Sequence, residues 1–466
     1  MAIGTTLGAA VAGAGAVEDE PVTSAVGGRK ASGGTGRAPS PGAGPQVTTL
    51  DSGRRVVTDA VAGGASATVV ALVGVGGRDE PEYLAGASHF LEHLLCKGSA
   101  SRPSAEVAES VDAVGGELDA VTDRERTAVQ VRVPAADAAF ALDLLGDLVV
   151  RPALRPDEVE VERRVILEEL AQAEEDPEDR AHTLSATCLY GAHPLGREVL
   201  GDRRTLKEMG RADISSFHAA RYRPEAMVVA AAGAVDHDTV VALVERWDDE
   251  HARKTASDAA VSDAAVSLTE PRLPPESLTP STKVLRRAGE QVHLVLGWPL
   301  GAVAAGDRAA WDVLVQVLGG GPASRLFRSV RDERGLAYAV DASLSMHSDA
   351  AALTAYAGCS PRAVAEVRAV VGDEVERLAT DGPTVREVEV AIGYLAGSST
   401  LALEDSGIRA WRVGIEELER GGARPAAERI DEFRQVTVDD TRRVAAILGT
   451  APSVVAVGPV SRRTRL

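Results

Sequence analysis

The sequence predicts an α+β fold with two related sheet-plus-helices domains in one chain, on three observations. A chain of 466 residues exceeds what one hydrophobic core organises and divides into two or three units. Strand-like and helix-like segments follow one another in mixed rather than strictly alternating order, the pattern of sheets with helices stacked on one face. The order then restarts. Laying His93-Leu-Leu-Cys-Lys-Gly-Ser-Ala-Ser-Arg102 over Gln316-Val-Leu-Gly-Gly-Gly-Pro-Ala-Ser-Arg325 keeps Leu95/Leu318, Gly98/Gly321 and the Ala-Ser-Arg ending in step, 316 − 93 = 223 residues apart.

Residues 1–45 are rich in Ala, Gly, Pro and Ser and lack a basic start before their weak apolar stretch, so they read as a disordered tail rather than a signal peptide. The first domain, 46–251, has a strand at Ala67–Val75, an amphipathic helix through Leu95, strands within Glu117–Val133 and a helix at Ala135–Val150. A further helix starts at Pro156, with Pro and acids in its first turn and Val159, Val165, Ile166 and Leu170 as an expected buried stripe. More helices, a strand at Met227–Gly233 and a closing helix complete this domain. Residues 252–283 are polar and Pro/Ser-rich, without apolar periodicity, and read as a linker. The second domain, 284–466, opens on the strand Val292–Trp298. Its Gly319-Gly-Gly run is a tight turn after a helix rather than a phosphate loop, because no Lys-Ser/Thr follows.

Composition narrows the function. Aromatic residues make up 3% of the chain, so its cores must be built from Ala, Val and Leu. The cysteines Cys96, Cys188 and Cys359 give no even disulfide framework, which favours a reducing compartment and predicts a cytoplasmic protein. No run of eighteen apolar residues is present, so no membrane span is expected. The net charge of −19 argues against nucleic acid as a partner. That acidity either serves solubility or draws in basic peptides.

The densest chemistry is His89-Phe-Leu-Glu92-His93, an H-x-x-E-H sequence on the amphipathic helix. Positions i and i+4 share a helix face, so both imidazoles reach one metal ion while Glu92, one turn from His89, flanks it. Leu91, Leu94 and Leu95 remain to pack the helix into the core. A catalytic zinc needs a further protein ligand, an open position for water and an unbound carboxylate nearby, and Glu92 suits that base role. The motif is one of the zinc-peptidase signatures. In the helix beginning at Pro156, Glu162 and Glu169 are seven apart and therefore share a face. Cys96, three residues past His93, reads as a packed core cysteine, and Glu168 as a solvated charge.

The two segments together, H-F-L-E-H-L-L and then E-R-x-V-I-L-E-E-L from Glu162, resemble the pitrilysin/insulinase family of zinc peptidases, in particular its mitochondrial-processing-peptidase-like branch. The resemblance runs from about Val47 to about Val457. It implies that Glu169 is the third zinc ligand and that Glu162 supports the site, with one Zn²⁺ per chain. It implies that the strand around Gly116, Asp119 and Ala120 pairs with substrate backbone, and that Arg331 and Tyr338 act in catalysis by contacting the substrate or the tetrahedral intermediate. The Tyr190-Gly-Ala-His-Pro-Leu-Gly loop is also similar to the family's. The chain departs from the family at Asp119, where Asn is usual, at Cys96, where Phe is usual, and at Ser99, where Thr is usual. Asp119 bears on substrate preference. The resemblance further implies that the chain is half of a clamshell assembly, a homodimer or a heterodimer with a related subunit, closing around unfolded peptides or a peptide precursor that it cleaves. The alternative is a catalytically inactive structural or peptide-binding subunit of a peptidase-like complex.

Overall fold

The computed structural model describes residues 44–258, 272–276 and 278–461. Residues 1–43 of the tail expected over 1–45, and 259–271 and 277 of the expected linker, fall outside them.

The first half builds a six-stranded sheet from β1 (Gln46–Thr49), β2 (Arg55–Ala60), β3 (Ser66–Val73), β4 (Glu117–Thr122), β5 (Thr127–Pro134) and β6 (Met227–Gly233). Its order is β1-β2-β6-β3-β5-β4, so β4 is an edge strand. Eight helices accompany it: α1 (Ala87–Leu95), α2 (Ser104–Ala113), α3 (Ala138–Val150), α4 (Pro156–Glu175), α5 (Pro177–Tyr190), α6 (Arg203–Glu208), α7 (Arg211–Arg221) and α8 (His237–Asp258). Phe90, Leu91, Leu94 and Leu95 of α1 and Leu142 and Leu145 of α3 fill one core with Val69, Val129 and Val131 of the sheet. This is the Leu/Val/Ala core that a chain poor in aromatics must use.

The second half repeats the plan. Strands β7 (Thr282–Arg286), β8 (Val292–Gly301), β9 (Ala337–Met346), β10 (Ala351–Cys359) and β11 (Ser453–Gly458) form a sheet in the order β7-β11-β8-β10-β9. Each matches β2, β6, β3, β5 and β4 in turn, and the parallel pair β2 with β6 recurs as β7 with β11. The helices are α9 (Arg308–Gly319), α10 (Val364–Asp381), α11 (Val385–Ala402), α12 (Ser406–Arg420), α13 (Ala426–Gln435) and α14 (Val438–Ala445), with a π-helical turn at Phe327–Asp332. The expected linker carries regular structure at both ends, since α8 runs on to Asp258 and β7 begins at Thr282.

Two expectations are corrected. Helices cover both faces of each sheet, not one, because the halves exchange a helix. From the second half, α12 lays Ala410, Trp411 and Val413 on Val57, Val70, Leu72 and Ala230 of the first sheet. From the first half, α5 lays Ala181 and Leu184 on Val295, Val455 and Val457 of the second. Gly414 is where α12 meets the sheet most closely, since a Cβ there would stand 2.4 Å from Leu72 Cδ1. The second correction is Val165, which is 46% exposed rather than part of a buried stripe; it lines a cavity that α4 borders. The halves are also tied at their hairpin turns. Arg78 binds Glu125, beside the β4–β5 turn, at 2.6 Å and Asp349, beside the β9–β10 turn, at 2.7 Å through each of two nitrogens. Ser348 donates its N–H and hydroxyl to the same Glu125 carboxylate. Among the described residues no helix is long and apolar enough to cross a membrane.

Candidate metal centre

Helix α1 is held from its N-terminal end. Its cap, Gly86, has φ +94°, and a Cβ there would stand 2.8 Å from the Leu200 carbonyl oxygen, so the position needs glycine. No cap side chain is available, and the buried Glu80 carboxylate takes that role, accepting the N–H groups of Gly86 at 2.7 Å and Ser88 at 2.6 Å. With Phe90, Leu91, Leu94 and Leu95 in the core, the opposite face presents His89, Glu92 and His93 to the cavity. Against it packs α4, which has Pro in its first turn and buries Val159, Ile166 and Leu170 beside Glu162.

These two helices bring His89, His93 and Glu169 together, with one candidate ligand atom from each lying within 4.8 Å of the others. His89 Nε2 is 3.6 Å and His93 Nε2 3.5 Å from Glu169 Oε2. Ligands about 2.0–2.1 Å from a tetrahedral zinc stand roughly 3.3–3.4 Å apart, so the donor set and its spacing fit that ion. His93 Nδ1 lies 3.0 Å from Glu162 Oε2, which leaves Nε2 to face the cluster. Burial, then the neighbouring His93, lowers His89 to about 4, so its ring is neutral and able to ligate. Burial would lower His93 too, but the hydrogen bonds to Glu162 and Glu169 outweigh it and hold the ring at about 9 without metal. A metal ion therefore has to displace that proton.

Glu92 stands beside the cluster and is not a member of it. Burial raises its carboxyl, against a hydrogen bond from Thr122 of β4, and Oε2 is buried with no partner. A buried acceptor without a donor is costly unless water or substrate supplies one. Cys96 is partly buried, and burial pushes its thiol up to about 12, so it is protonated at neutral pH. In the second half, Asp312, Val315 and Gln316 occupy the positions of His89, Glu92 and His93 at the 223-residue offset. There Asp312 pairs with Arg429 at 2.5 Å, and no metal cluster forms among the described residues.

The cluster opens into a cavity of about 1390 Å³ whose walls come from both halves, Ser343, Ser345 and Thr354 of the second sheet included. Asp119 and Ala120 of β4 line it, as does the exposed Glu168, whereas Gly116 does not. Sequence reasoning missed how Asp119 is presented. The Trp411 indole N–H, from the exchanged helix α12, donates to Gln130 Oε1 at 2.7 Å. An indole can only donate, so the Gln130 amide NH₂ turns the other way and lies 3.5 Å from Asp119 Oδ2. Nothing local in the sequence signals a contact spanning 281 residues. The Glu80 cap is local, six residues before Gly86, and could have been found as an acid preceding a helix with no capping side chain. Arg331 and Tyr338 are not brought to the cluster. Neither lines the cavity, Tyr338 is 77% exposed on edge strand β9, and the Arg331 guanidinium stacks 4.6 Å from its ring centroid.

Comparison with known proteins agrees with this architecture. Residues 55–203 match the family model described as Insulinase (Peptidase family M16), and residues 208–395 match its companion, the Peptidase M16 inactive domain. The chain belongs to the pitrilysin/insulinase family of peptidases. Its relatives within M16 include an uncharacterized zinc protease of Mycobacterium tuberculosis (strain ATCC 25618 / H37Rv), 42% identical over 402 residues, or 86% of this chain and 90% of the relative. A Bacillus subtilis (strain 168) relative, also named an uncharacterized zinc protease, is 31% identical over 86% of this chain and 95% of its own length. The M16 fold recurs in the crystal structure of a Helicobacter pylori protease, with TM-score 0.78 and 22% identity over 89% of this chain and 99% of that one. It recurs again in a peptidase M16 inactive domain from Pseudomonas fluorescens, with TM-score 0.75 and 21% identity over 91% and 99%.

Proposed function

We propose that this M16 protein is a zinc-dependent endopeptidase of the mitochondrial-processing-peptidase-like branch, cleaving unfolded peptides or a peptide precursor inside a chamber closed by a second chain. The observation that carries the reading is the His89, His93 and Glu169 cluster at the wall of a large cavity, with an unpartnered carboxylate oxygen of Glu92 beside it. His89, His93 and Glu169 would hold one Zn²⁺ per chain. When bound, zinc supplies a Lewis acid that acidifies water and polarises a carbonyl. Glu92, its carboxyl raised by burial, takes the proton from the attacking water at Oε2 and returns it to the leaving amine. Glu162 holds the His93 ring through Nδ1.

Edge strand β4, with Asp119 and Ala120 in it and Gly116 just before it, offers its free side to an extended peptide, which gives affinity with little sequence demand. The half-buried Arg331 and the exposed Tyr338, both outside the cavity lining, suit donation to substrate in the site of a partner chain, in a homodimer or a heterodimer with a related subunit. The division into a metal-carrying domain at 46–251 and a second domain at 284–466 belongs to this reading, as does a cytoplasmic location. An inactive subunit is disfavoured by the complete set of ligands and base.

Metal analysis tests it. The parent protein should carry about one zinc per chain. Glu169→Gln should lose the metal, whereas Glu92→Gln should keep it and lose turnover by several orders of magnitude. Undiminished zinc in Glu169→Gln removes that residue as a ligand, and retained turnover in Glu92→Gln removes the base.

A further inference from the structure

We propose that Lys97 is a positioning residue of the metal centre, acting through Glu162 on His93; the inference rests on the zinc reading above. Glu162 is a buried carboxylate, 2% exposed, with two oxygens to satisfy. Oε2 takes His93 Nδ1 at 3.0 Å, and Oε1 takes the Lys97 ammonium at 3.0 Å. Each oxygen therefore has one partner, and the plane of the carboxylate is set by both.

The geometry assigns Lys97 the task of fixing that plane. A carboxylate bonded at one oxygen only can swing about its last torsion, which is broad for this side chain. Swinging carries Oε2 off the imidazole axis, and the His93 ring then loses the contact that aims Nε2 at the cluster. Lys97 comes from the turn that follows α1, so it approaches Glu162 from the same helix end as His93 and closes a three-residue chain across the α1–α4 contact. Its ammonium, which can only donate, cannot compete with His93 for the metal. Lys97 is partly exposed, so replacing it need not disturb the core.

Zinc affinity, measured by competition with a chromogenic chelator on purified full-length protein, tests the proposal. Removing an outer partner of a metal ligand weakens binding by about 10- to 100-fold. Lys97 acts one residue further out, so Lys97→Met should bind zinc about tenfold more weakly than the parent, a loss larger than any fall in the melting temperature of the metal-free protein accounts for. Lys97→Arg, which restores a cationic donor, should recover most of the affinity. Equal affinity in Lys97→Met and parent overturns the proposal, and so does a lowered metal-free melting temperature that accounts for the loss. An arginine variant as weak as the methionine one overturns it too. If the parent itself binds no zinc, the metal reading falls first and this inference falls with it.

Discussion

Strand β4 places Asp119 at the cavity wall, and the Gln130 amide that Trp411 orients lies 3.5 Å from its carboxylate, which links the residue to the other half of the chain. A carboxylate on the strand offered to substrate should favour Arg- or Lys-bearing peptides by on the order of 1 kcal/mol, about fivefold. Asp119→Asn should abolish the preference in a peptide-library profile. Trp411→Phe keeps an aromatic, though smaller, side chain and removes the N–H donor, freeing the Gln130 amide, so it should weaken the same preference to a smaller degree. A Trp411→Phe profile identical to the parent's would disconnect the indole from specificity. Much of the candidate metal site is legible in the residues: His89, Glu92 and His93 lie within five positions, and helix geometry alone puts them on one face. Glu169 is 76 positions past His93, and only the resemblance points to it. Trp411 and Lys97 are not legible, because each acts through a partner that tertiary packing selects.

Helix α11 shows the same contrast between local and distant signals. Its start is written locally, as Thr384 accepts the Glu387 N–H while the Glu387 carboxylate accepts the Thr384 N–H and hydroxyl. Arg325 adds two further bonds from elsewhere. Burial raises the Glu387 carboxyl, but Arg325 and Thr384 prevail and hold it at about 2, against an ordinary 4.5. An acid depressed in the folded state stabilises it fully above pH 4.5 and loses that contribution as pH falls through 2. Glu387→Gln should therefore cost about 1 kcal/mol at pH 6 in denaturant unfolding, and the gap to the parent should narrow towards pH 2. A gap that stays constant with pH would assign the stabilisation to packing. Strands and helices with clean periodicity were legible in the same way, Met227–Gly233 to the residue. The stripe reading failed at Val165 because α4 turns that residue to the cavity, a face that periodicity cannot tell from a core. The exchanged helices were not foreseen either, since α12 carries no sign of which sheet it will cover. Its Gly414 does record the contact afterwards, and Gly414→Val should destabilise the protein by about 1–3 kcal/mol through overpacking against Leu72. An unchanged melting temperature would show that α12 can lift away.

Across the whole molecule, the helix exchange and the Arg78 link to Glu125 and Asp349 join the halves around one cavity. Yet neither Arg331 nor Tyr338 lines it, and the proposed homodimer with composite sites would account for that placement. Mixing Glu92→Gln with Tyr338→Phe, each nearly inactive alone, should then restore activity. With free exchange, half the dimers are mixed and each has one intact site of two, so about a quarter of parental activity should return. No recovery, with subunit exchange demonstrated by mass, would place Tyr338 in cis or call for a different partner chain. The helix exchange also sets the order in which the protein can be made. Ser66 at the start of β3 bonds to Ser406 at the start of α12, 340 positions later. While the ribosome is still synthesising the second half, the first sheet exists with Val57, Val70, Leu72 and Ala230 uncovered. From the end of β6 at Gly233 to the start of α12 at Ser406 is 406 − 233 = 173 residues, so translation at about 5–20 residues per second leaves that apolar face bare for roughly 9–35 s. The first half therefore cannot bury that face on its own as it emerges, and aggregation through it is what the nascent chain has to avoid over that interval.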